Sequence, residues 1–85
     1  MNLKELASKY IQNTEHVFEE VKITQGSITL KKEHVLSVIE TAKAYFNDAK
    51  HYQEKKRFET SLVAVTYCEG LLDALRFLGI VDFSW

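Results

Sequence analysis

Apolar residues recur along this chain in steps of three and four, in three long runs separated by two short breaks, the spacing of amphipathic helices. The first run places Leu3, Leu6, Ala7, Tyr10, Ile11, Thr14, Val17, Phe18 and Val21 on one face and predicts a helix over about 3–22. Asn2 stands where it can cap that helix, Glu5 where it can reach back to the free amides, and Gly26 where a left-handed residue would end it. Small and β-branched residues mark 23–30 as a connector and as the segment expected to be most mobile.

The second run predicts a helix over about 31–54, begun at Thr29 or the neighbouring backbone, with Val35, Val38, Ile39, Ala42, Tyr45, Phe46, Ala49 and Tyr52 as its buried stripe. Lys55, Lys56 and Arg57 then form a polar turn that lacks the usual glycine or proline. A helix running straight through the turn would carry its apolar stripe beyond any single small domain, so the chain is expected to fold back. The third helix, about 57–78, is apolar over more than half its circumference and calls for two neighbours, leaving Glu59, Thr66, Glu69, Asp73 and Arg76 as a solvent strip. Gly79 supplies its stop, Ile80 can contact Leu75, and the apolar tail over 80–85 is expected in a groove between helices or against another chain. The pattern as a whole predicts one all-α domain over 1–85: an antiparallel three-helix bundle with a C-terminal helical hairpin and a short apolar tail.

Composition narrows the function more than it identifies it. At 85 residues the chain sits near the lower limit for a core without metals or disulfides, and 46% apolar with 27% charged residues places it among globular proteins. A net charge of -1 argues against nucleic-acid binding through overall positive charge. Lys31 and Lys32 lie on the order of 35 Å along the helix from the Lys55–Arg57 turn, so they make no common patch. The lone Cys68 fits a reducing compartment, and no apolar run is long enough to span a membrane. These features predict a soluble, cytoplasmic protein with neither a signal-peptide core nor a membrane association.

Few residues suggest chemistry. Glu69 and Asp73 lie one helical turn apart, a spacing that lets two carboxylates share a metal ion or a proton, but a further ligand is missing and pairing of Asp73 with Arg76 is favoured. Gly70 between them is costly in mid-helix, which points to the close approach of another segment or a ligand resting on bare backbone. His16, His34 and His51 show no zinc-site spacing; His16 can share a turn with Glu20 instead. Cys68, central in the apolar arc, reads as a small hydrophobe and not as a nucleophile. No catalytic residue, metal or cofactor is therefore expected.

Ala42, Tyr45, Asp48 and Ala49 in the second helix, with Tyr67, Gly70, Leu72, Asp73, Leu75 and Gly79 in the third, resemble the archaeal family catalogued as domain-of-unknown-function 357. The resemblance covers roughly residues 30–80; the first helix is similar only in type, and Lys56 and Arg57 stand where a Gly-Asp-like pair is expected. It implies a compact three-helix bundle, an archaeal cytoplasmic setting, hydroxyl- or backbone-binding roles for Asp48 and Asp73, and no assigned activity. The hairpin is also similar to one tetratricopeptide unit, but a solenoid requires about three. Helical nucleotide-binding ribonucleases pair an arginine with a histidine a few residues on, and neither Arg57 nor Arg76 has one.

The leading expectation is a non-enzymatic interaction or self-associating module that uses Leu62, Phe77, Phe83 and Trp85. The alternatives are a metal- or small-molecule-binding enzyme using Glu69 and Asp73 around Gly70, and RNA binding through Lys55–Arg57.

Overall fold

The computed structural model describes residues 2–24 and 26–85 and contains three helices, α1 (Leu3–Glu20), α2 (Lys32–Glu54) and α3 (Phe58–Phe77), with no strand among the described residues. The all-α class and the C-terminal hairpin are those the periodicity predicts. Asn2 caps α1 as expected, its Oδ1 accepting the Glu5 N–H at 2.8 Å. The other end of α1 departs from expectation. It stops at Glu20 with the extended Val21 as its C-cap, five residues short of Gly26. Glu19 and Glu20 oppose the helix dipole at that end, no basic residue lies in the last turn, and β-branched Val21, Ile23 and Thr24 weakly resist continuation.

α2 begins after Lys31, whose carbonyl accepts the His34 and Val35 N–H groups; no side chain caps it, so Thr29 does not serve as the cap. Its other end solves the turn without glycine. Lys56 takes φ 61°, its N–H bonds to the Gln53 carbonyl at 3.0 Å, and the Arg57 N–H reaches the Tyr52 carbonyl at 2.8 Å. This paired pattern is a Schellman motif, and it reverses the chain. The same motif closes α3, where Gly79 takes φ 73°, its N–H bonds to the Arg76 carbonyl, and the Ile80 N–H bonds to that of Leu75.

The hairpin core is made largely of small side chains: Ala42 and Ala49 from α2, Ala64, Cys68 and Leu75 from α3. Small residues at the seam let the two backbones approach, and Ser61 exploits this by donating its hydroxyl to the Ala49 carbonyl at 2.7 Å. The Tyr45 and Tyr67 rings stack across the seam with centroids 4.4 Å apart.

α1 packs on neither α2 nor α3. None of its described residues is buried, and Leu3, Tyr10, Ile11, Val17 and Phe18 all present their apolar groups to solvent. α3, expected to be wrapped on two sides, therefore has one helical neighbour, α2, with the C-terminal segment folded against its last turns. The radius of gyration is 15.7 Å, well above the ~12 Å expected of a compact chain of this length.

Candidate functional site

Because α2 and α3 meet through small residues, their larger side chains stand up on either side of the seam and enclose a groove. Ala42 and Cys68 lie at its base, Ile39 and Phe46 on the α2 side, Val65 and Leu72 on the α3 side, and the space is about 510 Å³. Lys43 and Glu69 are its polar rim residues and Trp85 stands at one end. Ile39 also borders a second hollow of about 420 Å³ formed with Leu30, Val35, Leu36 and Ile80, so the apolar surface continues toward the start of α2. Lys50 adds a cation over the exposed Phe46 ring, 5.2 Å from its centroid.

The C-terminal segment is held by a cluster centred on Asp73. Its Oδ1 accepts the indole N–H of Trp85 at 2.8 Å and Nη2 of Arg76 at 3.2 Å. Arg76 in turn lies over the rings of Phe77 and Phe83, and Phe83 meets Trp85 edge-on at 5.1 Å. The Trp85 hydrogen bond does most to hold the Asp73 carboxyl below its ordinary range; partial burial opposes this and Arg76 assists it. The tail is thus docked in cis, although Trp85 keeps 66% of its surface exposed.

Other expected site residues are dispersed. Phe77, Phe83 and Trp85 gather around Arg76, but Leu62 lies fifteen positions from Phe77, about 22 Å along α3, and joins no common patch with them. Glu69 lines the groove, whereas Asp73 turns to the tail, so the two carboxylates do not form one site. Gly70 meets neither a second segment nor a close neighbour: a Cβ built on it would have nothing within 4 Å. Asp73 pairs with Arg76 and the indole rather than with backbone or hydroxyl groups of α2, and Asp48 is exposed; the bond between the helices comes from Ser61.

His16 lies 3.1 Å from Glu20 on the exposed face of α1. Burial pushes the Cys68 thiol up, and the neighbouring Glu69 adds to the shift, so the groove holds a weakly nucleophilic thiol at its base. Lys55, Lys56 and Arg57 remain at the exposed turn, with Arg57 over the Tyr52 ring. Sequence periodicity did not reveal the lining of the groove, because Ile39 and Phe46 read as part of a buried stripe and the third helix as apolar over more than half its circumference. The apolar tail over 80–85, expected in a groove between helices or against another chain, is the sequence signal that points to it.

Hairpin, groove and free amphipathic helix define a small all-α protein organised around an apolar surface. Residues 9–81 match a family described as Protein of unknown function (DUF357), and the chain belongs to that family. The matched region takes in most of α1 as well as the hairpin, a wider span than the hairpin motif alone suggests. No curated protein and no solved structure matches the chain.

Proposed function

We propose that this protein is a non-enzymatic protein-interaction module whose working surfaces are the α2–α3 groove and the apolar face of α1. The supporting observation is that α1 leaves its apolar stripe, apart from the half-buried Leu6, in water, with Phe18 at 74% and Leu3 at 72% exposure, beside a hairpin that carries an open groove. A helix of 18 residues has little stability of its own in water and gains most of it by burying such a face. Contiguous apolar surface of this extent marks a binding site more often than a bare surface. The Phe77, Phe83 and Trp85 cluster borders the groove through Trp85 and extends the same surface.

The test uses the full chain and two variants, Phe18→Glu on α1 and Phe46→Glu on the groove. Both residues are exposed and outside the α2–α3 seam, so the hairpin is expected to stay folded by circular dichroism while association, either with itself in sedimentation or with a protein retained from native extract, weakens at least tenfold. A wild-type chain that associates with nothing at micromolar concentration, or variants that associate as well as it does, would refute the reading.

A further inference from the structure

We infer that the groove is filled by α1 of a second copy of this chain, exchanged reciprocally so that each copy supplies the third helix of the other's bundle. This rests on the interaction-module reading and names its partner.

Area is the first support. The chain exposes 7541 Å², whereas a compact monomer of its mass exposes about 5200 Å². The excess is roughly 2300 Å² per chain, and twice that falls within the 2000–5000 Å² or so buried by obligate dimers. Length agrees as well. α1 is about 27 Å long and the hairpin about 34 Å, so the helix fits within the face that it would cover.

Charge then chooses the direction. α1 carries Lys4, Glu5 and Lys9 in its first half, a net charge of +1, and Glu15, Glu19 and Glu20 in its second, a net charge of -3. In the hairpin, the turn end over 43–67 holds five basic and three acidic side chains, and the open end over 31–42 and 68–85 holds three basic and five acidic ones. Opposite charges meet when α1 runs parallel to α2, with its glutamates at the turn. The antiparallel alternative brings those glutamates to the acidic open end.

A chain meets that requirement poorly on its own. With α1 ending at the turn, the connector over 21–31 would have to return the full length of α2, about 34 Å, and its eleven residues reach about 36–40 Å when drawn fully straight, so nearly all of it would have to be extended. Between two copies related by a two-fold axis with antiparallel hairpins, the turn of one lies beside the open end of the other. The connector then only crosses between neighbours, and the two-fold pairs the basic turn of each hairpin with the acidic open end of its mate.

Cys68 at the groove base, the single native thiol, makes this testable. Ile11→Cys and Thr14→Cys are made separately in the full chain, oxidised with diamide, and examined by non-reducing gel and peptide mapping, alongside sedimentation and small-angle scattering of the unmodified chain. The expected result is a dimer at micromolar concentration, with position 11 or 14 of one copy linked to Cys68 of the other. Triple replacement Glu15→Lys, Glu19→Lys and Glu20→Lys is expected to raise the dimer Kd at least tenfold. An internal disulfide in a monomer would show that α1 closes on its own hairpin and would remove the interaction-module reading too. A monomer that keeps an extended radius and forms no link would overturn the exchange alone, leaving the module with a different partner. A dimer linked only between identical positions on α1, a dimer with no link to Cys68, or a triple variant that dimerises as well as the parent would likewise overturn the exchange.

Discussion

At Lys56 the backbone enters the left-handed region at φ 61°, the conformation that Gly79 adopts at φ 73° in the equivalent place after α3. An L-residue with a Cβ bears about 1–2 kcal/mol there and glycine does not. Lys56→Gly is therefore expected to stabilise the chain by about 0.5–1 kcal/mol, set by the relieved strain less the added freedom of the unfolded chain, and to raise the urea midpoint; Gly79→Ala should lower it by about 1 kcal/mol or more. Gly79 was legible in the sequence because glycine after an apolar helix is a recognisable stop. Lys56 was not, because nothing in a lysine announces a left-handed backbone. Asp73 gives a pH-dependent counterpart. Its carboxyl is held below the ordinary aspartate range in the folded chain, so the associated stabilisation is complete above the unfolded value and is lost as pH falls through the folded one. The Trp85 indole N–H resonance is expected to shift with a midpoint below that of an unperturbed aspartate. In Asp73→Asn this titration should disappear.

Among the elements, the α2–α3 hairpin rests on close approach as much as on apolar bulk. Ser61→Ala removes the hydroxyl bond to the Ala49 carbonyl at a partly buried position and is expected to cost about 1 kcal/mol in chemical unfolding. Gly70→Ala should act in the opposite direction, gaining about 0.5–1 kcal/mol, because helix propensity improves and open space receives the methyl group. A loss at this position would reveal a contact made only in an assembled state. The small residues of the seam could be read from the sequence, as could all three helices, with ends shifted by one or two residues. The end of α1 was the hardest to place, since its terminus depends on unfavourable charge and on the lack of a packing neighbour, whereas Gly26 suggested a conventional cap.

For the whole molecule, periodicity identified three apolar faces and could not say which face covers which. Two of them meet in the hairpin, and α1 remains a helix with an unspent surface. The lining of the groove was illegible for the same reason: residues such as Phe46 and Ile39 carry the periodicity of a core whose third wall this chain does not place on itself. Exchange of α1 between copies has a bulk signature. Because folding and association are then linked by mass action, the thermal midpoint should rise with protein concentration across the micromolar range, and differential scanning calorimetry over a hundredfold dilution series would detect it. A midpoint independent of concentration would mean that the stable unit is the single chain.

Trp85, the only tryptophan in the sequence, stands at the mouth of the groove with its indole tied to Asp73 and Phe83 against its ring. The protein therefore carries a built-in optical gauge of occupancy. Anything that enters the groove must dehydrate or displace that ring, shifting its fluorescence, so the filling of the site can be followed in unlabelled protein before its occupant has been identified.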